Sequence, residues 1–283
     1  MKTVLEVLKG TAEYFSKHGI ESARLNAELL LAQVLGKRRL DLYMEFDRPL
    51  GESELAPMRE KMRKRAQGYP LQYILGSVEC FGREFKVDER ALIPRPETER
   101  LLELVLKEKA AFEGAKLLDV GTGSGVIALT LAAELPNAEV HAFDLSPDAL
   151  ALAAENATKL GLSDRVSFLQ SDLLEKAQGP YGAIIANLPY VGLEDEATLQ
   201  RELRHEPRAA LFSGPDGTEA ILRLISQARD HLQPGGLLAL EIGLGQEEKL
   251  VAHFQQAAYN PVRIEPDYNG LNRFLFSTWG DRL

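Results

Sequence analysis

The sequence predicts an α/β protein in which a small helical domain precedes a mostly parallel, seven-stranded sheet. From residue 93 onward, short aliphatic segments alternate with segments of helical periodicity, a pattern typical of parallel strands covered by helices on both faces. Before residue 75 the apolar residues recur with helical spacing alone. The chain has 283 residues, of which 45% are hydrophobic and 27% charged, so both domains are long enough to bury a core.

Composition and charge narrow the protein class. The single cysteine, Cys80, cannot form an intramolecular disulfide, and charges interrupt the apolar residues of the N-terminus, unlike a signal peptide or a membrane span. We therefore expect a cytoplasmic protein with no membrane partner. Residues 1–75 carry 13 basic and 10 acidic residues, whereas the remainder carries 20 and 32. Nucleic acid is an unlikely partner for such an acidic body, because phosphate binding depends on Lys and Arg.

The predicted N-terminal domain, residues 1–75, is all helical. Val4, Leu8 and Phe15 form one apolar stripe, and Ser22 is predicted to cap a second helix. Two shorter helices are expected at 40–46 and 53–67. The last of these carries a basic run that is either a solvated face or a docking patch: Arg59, Lys61, Arg63, Lys64 and Arg65.

Residues 76–92 are predicted to form a β-hairpin that joins the two domains, because alternating residues follow Pro70 and Gly76. The second domain then spans 93–283. Its predicted strands cover 116–120, 139–144, 166–170, 181–186, 236–241, 262–266 and 273–277. Its predicted helices cover 97–111, 126–133, 147–160, 218–231 and 246–257.

A glycine-rich turn follows the first predicted parallel strand. Glycines let the backbone approach a ligand closely, and the start of the next helix offers free N–H groups to an anion. Asp144 ends the next strand, where its carboxylate can accept both ribose hydroxyls of an adenosine. The GxGxG spacing, with Asp119 two residues before it, favours S-adenosylmethionine over NAD. The predicted loop comprises Gly121, Thr122, Gly123, Ser124 and Gly125.

Two further strand ends complete the predicted site. Asp172 and Leu173 follow the third strand, where they are placed to meet the adenine amino group and ring face. The fourth strand runs into Asn187, Leu188, Pro189 and Tyr190. A weakly nucleophilic nitrogen needs both its N–H groups bound, which the Asn187 side-chain oxygen and the Leu188 carbonyl can do. Pro189 stiffens this turn and Tyr190 is predicted to pack against a planar acceptor. The motif predicts direct in-line methyl transfer to an amide or aromatic amine nitrogen.

These motifs resemble those of a known enzyme class. DVGTGSG at 119–125, FDLS at 143–146 and NLPY at 187–190 are similar to class I methyltransferases that methylate amino groups. Three further strings resemble the PrmC/HemK family, which methylates the glutamine N5 of the GGQ motif in peptide chain release factors: IPRPETE at 93–99, HEPRAALFSGPDG at 205–217 and LEIG at 240–243.

The resemblance implies a Rossmann-like catalytic domain that uses S-adenosyl-L-methionine and releases S-adenosyl-L-homocysteine. It assigns cofactor binding to the glycine loop, Asp144, Asp172 or Leu173, and Asn187, and the substrate amide to residues 187–190. It also implies a release factor as partner, and we expect the N-terminal domain to hold the body of that factor.

One departure from the family keeps an alternative open. Leu188 stands where the family usually has proline, and NLPY also occurs in ribosomal RNA adenine dimethyltransferases. A nucleic-acid adenine N6-methyltransferase is therefore the main alternative. An NAD-dependent dehydrogenase and a nucleotide-binding module without catalytic activity are weaker alternatives. The chain lacks the GxGxxG motif that a dehydrogenase needs, and a module that only binds a nucleotide has no use for NLPY. No metal is expected, because the histidines and Cys80 show no metal-ligand spacing.

Overall fold

A computed structural model describes residues 1–259 and 261–280. The chain divides into two compact units. The smaller comprises Met1–Ser77 together with a later segment, Gln200–His205, and the larger comprises Val78–Leu199 and the described residues from Glu206 onward. Within the described residues, no helix is long and apolar enough to cross a membrane.

The smaller unit is helical, as the sequence predicts. Its first helix begins with a reciprocal cap, in which the Thr3 hydroxyl accepts from the Glu6 N–H and the Glu6 carboxylate accepts from the Thr3 N–H. Val4, Leu8 and Phe15 are fully buried in its core. The helices are α1 (Val4–Lys17), α2 (Ala23–Leu35), α3 (Glu52–Ala66) and α4 (Leu71–Leu75), with a 3₁₀ helix at Arg39–Met44.

Two details of this unit differ from the prediction. Ser22 directly precedes α2, but its φ of 48° is left-handed and its side chain makes no capping hydrogen bond. The helix expected at 40–46 is a 3₁₀ helix instead. Leu42 is the residue that this short element buries, while Leu40 and Met44 are exposed, so there is no continuous apolar stripe to support a longer α-helix.

Arg65 does not belong to an exposed basic face. It is buried, and its guanidinium donates to the Asn26 side-chain oxygen at 2.7 Å, to the Tyr69 carbonyl at 3.0 Å and to the Glu202 carboxylate. These bonds satisfy a buried charge that would otherwise be costly. They also attach the segment Gln200–His205 to the helices of this unit, whereas Arg63 and Lys64 remain exposed.

The larger unit contains a seven-stranded sheet with the order β5-β4-β3-β6-β7-β9-β8. The first five of these strands are parallel, and β9 pairs antiparallel with both β7 and β8. The strands are β3 (Lys116–Val120), β4 (Glu139–Asp144), β5 (Val166–Gln170), β6 (Tyr181–Asn187), β7 (Leu232–Glu241), β8 (Val262–Pro266) and β9 (Asn272–Trp279).

Alternate residues of the central strands enter separate cores on the two faces of this sheet. Ala183 and Ile185 of β6 pack with α5 and α6, whereas Ile184 and Ala186 pack with α9 and α10. The helices are α5 (Pro96–Leu106), α6 (Val126–Glu134), α7 (Pro147–Leu160), α8 (Arg208–Leu211), α9 (Glu219–Ala228) and α10 (Glu247–Gln256).

The hairpin is shorter than predicted and lies almost wholly in the larger unit. Its strands are β1 (Ser77–Cys80) and β2 (Arg83–Lys86), and residues 87–95 form neither helix nor strand. Cys80 and Phe85 are buried in the core formed by α5 and α6. The hairpin therefore adds apolar side chains to the core of the larger unit.

Candidate active site

The register of the sheet brings the predicted strand ends together. Val120 of β3 is paired with Phe143 of β4 on one side and with Ala186 of β6 on the other. The glycine loop that follows Val120 therefore starts between Asp144 and Asn187. Strand order also reverses between β3 and β6, which is where open α/β sheets form ligand crevices.

A cavity of about 540 Å³ occupies this edge of the sheet, a size suited to a nucleotide-sized ligand. Its walls opposite the sheet come from two segments that the sequence marked out, represented by Pro94 of IPRPETE and by Pro207 and Phe212 of HEPRAALFSGPDG. Ten of the predicted site residues line it: Gly121, Thr122, Gly123, Ser124, Asp144, Asp172, Leu173, Asn187, Leu188 and Pro189.

Gly125 and Tyr190 are the two predicted site residues that do not line this cavity. Gly125 has a φ of 86°, and a Cβ there would lie 3.0 Å from Leu129 Cδ1 and 3.1 Å from the Ala153 Cβ. Glycine is thus required for the left-handed turn and for close packing of α6 on α7. Gly121 and Gly123, with φ of 75° and 56°, supply the bends that face the cavity.

Asp144 is held at the cavity by the backbone. Its Oδ2 accepts from the Gly123 N–H and its Oδ1 from the Ser146 N–H, both at 2.8 Å. Burial raises the pKa of this carboxyl above its usual value, and the two N–H groups oppose that shift. The N-cap of α7 is Ser146, whose hydroxyl accepts from the Ala149 N–H. Asp144 is therefore not needed as the helix cap.

Asp119 supports the glycine loop from below. It is fully buried, and its Oδ2 accepts from the Thr122 hydroxyl at 2.6 Å and from the Ala128 N–H at 3.1 Å. Burial raises the pKa of this carboxyl to about 7. Its Oδ1 is buried without a hydrogen-bond partner among the described residues. Asp119 thus fixes the loop to α6 without itself lining the cavity.

Asp172 and Leu173 lie on the side of the cavity next to β5. The Asp172 carboxylate is partly exposed and accepts from Arg223 of α9 at 2.9 Å. Leu173 is buried and has a φ of 47°, which is unusual for a non-glycine residue. Such a conformation persists only where the surroundings enforce it, and here it places the leucine against the cavity.

Residues 187–189 follow β6 directly. The Asn187 Nδ2 donates to the Thr98 hydroxyl at 3.2 Å, so the oxygen end of the amide is the one available to a ligand. Leu188 is buried against the glycine loop, since a Cβ on Gly121 would lie 2.9 Å from the Leu188 Cδ2. The leucine side chain packs here. The backbone carbonyl of residue 188 is present whether that residue is leucine or proline.

Tyr190, unlike the other three residues of NLPY, does not line the cavity. Its hydroxyl donates to the Glu241 carboxylate at 3.2 Å, and the residue lines a neighbouring depression with Gln246, Lys249 and Arg273. Burial and the nearby carboxylate raise the pKa of the phenol. A buried tyrosine hydroxyl needs a hydrogen-bond partner, and the sequence does not reveal that Glu241 supplies it.

Sequence reasoning missed three residues at or beside the cavity, namely Thr98, Glu206 and Glu241. Glu241 is 1% exposed and receives hydrogen bonds from both Tyr190 and Thr98. Burial raises its pKa to about 7, with Glu97 adding to the shift and Arg273 opposing it. Glu206 is also buried, and accepts from the Ile93 N–H at 3.0 Å and from an arginine of IPRPETE. A carboxylate within an apolar strand, as in LEIG, was the available signal.

In the described part of the chain, no group of three or more His, Cys, Asp or Glu side chains is placed to hold a metal ion. The cavity instead offers glycine N–H groups, carboxylates and an amide. These groups bind sugar hydroxyls, amines and N–H donors.

Two families of known domains match the chain. Residues 6–76 match the PrmC N-terminal domain, and residues 97–216 match the methyltransferase small domain. A release factor glutamine methyltransferase from Chlorobaculum tepidum is 42% identical over 96% of this chain and 96% of its own length. One from Geobacter sulfurreducens is 40% identical over 96% and 95%.

Solved structures share the fold at lower identity. The hMettl16 catalytic domain, solved in complex with an RNA hairpin, aligns with a TM-score of 0.58 and 15% identity, covering 80% of this chain and 83% of that one. A methyltransferase from Pyrococcus furiosus aligns with a TM-score of 0.52 and 21% identity, covering 71% and 90%. These likenesses establish the Rossmann-like methyltransferase fold predicted from the sequence.

Proposed function

The chain belongs to the release factor glutamine methyltransferase family, and from that premise we propose that it transfers a methyl group from S-adenosyl-L-methionine to the side-chain nitrogen of the glutamine in the GGQ motif of peptide chain release factors. The observation that carries the proposal is geometric. One cavity is lined by the glycine loop, by the carboxylate of Asp144 and by the amide of Asn187.

The residues present fit the proposed cofactor. Asp144 sits at the end of β4, where its carboxylate can accept the ribose hydroxyls, and the bends at Gly121 and Gly123 let the backbone approach closely. Asp172 and Leu173 offer a polar group and an apolar face for the adenine. When bound, S-adenosylmethionine supplies an electrophilic methyl group. Its product after transfer is S-adenosyl-L-homocysteine.

The chain itself binds and orients the acceptor. The Asn187 side-chain oxygen and the Leu188 carbonyl accept hydrogen bonds from the two N–H groups of the glutamine amide. These bonds turn the lone pair of the amide nitrogen toward the methyl donor. Pro189 restricts the backbone conformations open to the turn. Holding both reactants in this way supplies roughly 7 to 11 kcal/mol of the rate acceleration. The nitrogen forms its bond to the methyl group as the bond from that group to sulfur breaks, and S-adenosylhomocysteine leaves. No strong general base is required before attack, because the methylated nitrogen is then cationic and loses its proton readily to water.

A direct methyl-transfer assay tests the function. Labelled S-adenosylmethionine is offered with three acceptors: a purified release factor, the same factor with GGQ changed to GGA, and deproteinised ribosomal RNA. We expect label on the intact factor alone. Label on RNA, or equal label on both forms of the factor, would reject the glutamine as acceptor and favour the adenine alternative.

The smaller unit is proposed to hold the body of the release factor. Its exposed basic residues Arg63 and Lys64 lie on α3, whereas Arg65 is buried and has a structural role. We expect the double change Arg63→Glu/Lys64→Glu to raise KM for the intact factor about tenfold, and to leave KM for a short GGQ peptide unchanged. The double change Lys9→Glu/Lys17→Glu on α1 is the charge-matched control. An equal effect on factor and peptide would contradict docking at this surface.

A further inference from the structure

A chain of hydrogen bonds leads from the acceptor side of the cavity to a buried carboxylate. Asn187 Nδ2 donates to the Thr98 hydroxyl at 3.2 Å, and that hydroxyl donates to Glu241 Oε2 at 3.3 Å. The other oxygen of Glu241 accepts from the Tyr190 hydroxyl. Thr98 and Glu241 are 5% and 1% exposed, so water does not readily replace either partner.

Two strands and one helix, and no loop, bring these groups together. Asn187 is the last residue of β6 and is paired in register with Glu241, the last residue of β7. Thr98 comes from the first turn of α5. Three separate elements therefore meet at the Asn187 amide. Thr98 belongs to IPRPETE and Glu241 to LEIG, and neither string is part of the proposed acceptor motif NLPY.

The polarity of this chain of bonds fixes which end of the Asn187 amide meets the ligand. An ionised carboxylate can only accept, so the Thr98 hydroxyl must give its single hydrogen to Glu241. The hydroxyl oxygen is then an acceptor, and it selects the NH₂ end of Asn187. The amide oxygen is left for the cavity, as binding the N–H groups of an acceptor requires.

We propose that Thr98 and Glu241 are positioning residues that hold the Asn187 amide with its oxygen directed to the acceptor nitrogen. The inference rests on the proposed function. With the polarity reversed, the Asn187 NH₂ would face the N–H groups of the glutamine, and two donors repel. The same carboxylate also anchors Tyr190, so it fixes both ends of the NLPY turn.

Substitutions that change polarity but little volume test this role. Thr98→Val removes the hydroxyl and should lower kcat/KM for a GGQ peptide about 10- to 100-fold, the scale expected when a reacting group is misplaced. Thr98→Ser restores the hydroxyl and should recover most of that loss. Glu241→Gln turns one acceptor into a donor and should behave like Thr98→Val. Thr130→Val is the matched control, since Thr130 is fully buried and its hydroxyl has no partner in the described residues.

A binding readout separates positioning from a general structural effect. Calorimetry should show weaker binding of the GGQ peptide to Thr98→Val in the presence of S-adenosylhomocysteine, with affinity for S-adenosylhomocysteine itself within threefold of the parent protein. If peptide affinity and kcat/KM of Thr98→Val both stay within threefold of the parent, the inference is wrong. Thr98→Val decides the question even if Glu241→Gln fails to fold. Absence of methyl transfer by the unmodified protein would instead reject the proposed function.

Discussion

Replacement of Asp144 by asparagine tests the proposed cofactor-binding half of the cavity. The carboxylate now accepts two backbone N–H groups at 2.8 Å each while facing the cavity. A hydrogen bond from a ribose hydroxyl to a charged carboxylate contributes about 1.5 to 3 kcal/mol to the free energy of binding. An asparagine must also turn its NH₂ toward either the Gly123 or the Ser146 N–H. We therefore expect the Kd for S-adenosylmethionine to rise about 10- to 150-fold.

Isothermal calorimetry measures this change directly, with thermal unfolding as a check that Asp144→Asn remains folded. Asp148→Asn is the control, because Asp148 carries the same charge in the first turn of α7 but is exposed and does not line the cavity. A Kd for Asp144→Asn within threefold of the parent would refute the reasoning. So would an equal rise in both variants, which would indicate a general effect of charge.

Two further results are expected. Burial raises the pKa of Glu241 to about 7, and only the ionised carboxylate forces the Thr98 hydroxyl to donate. We therefore expect kcat to rise with pH through about 7 as Glu241 ionises. The pH-rate profile of Glu241→Gln should lack this rise. Asn156→Ala should lower the free energy of unfolding by about 2 to 4 kcal/mol, because Asn156 is fully buried and bonds the Lys86 N–H and the Lys86 and Ser124 carbonyls. Denaturant titration measures that loss, and the exposed Asn137→Ala should change stability by less than about 0.5 kcal/mol.

The elements that sequence reasoning placed well share one property. The strands at 116–120, 139–144 and 166–170 are short segments bounded by turn residues, and the structure gives them the predicted bounds. β7 was predicted to begin at residue 236 but begins at Leu232. Pro234 and Gly235 imply a strand end, yet an irregular register opposite Tyr181 and Ala183 accommodates them. Local signals thus locate regular strands better than irregular ones.

Side-chain roles were harder to predict wherever the partner is distant in sequence. Arg65 belongs to a basic run that is typical of a solvated helix, yet it is buried against Glu202, 137 residues away. Tyr190 belongs to the NLPY motif, but its hydroxyl donates to Glu241, 51 residues away. Glu202 carries no local signal, and the carboxylate within LEIG does not reveal which residue it binds, because such contacts depend on which segments the fold brings together.

The sequence was sufficient to predict the helical first domain, the parallel sheet, the glycine loop and the strand ends that line the cavity, since turn chemistry and apolar periodicity are properties of neighbouring residues. The tertiary structure was needed to show that Gly125 serves helix packing, that Tyr190 lines a neighbouring depression, and that Thr98 and Glu241 lie behind Asn187. The first of these depends on the packing of α6 against α7, and the other two on the register between β6 and β7 and on the approach of α5. Such contacts join residues far apart in the chain, where no periodicity relates them.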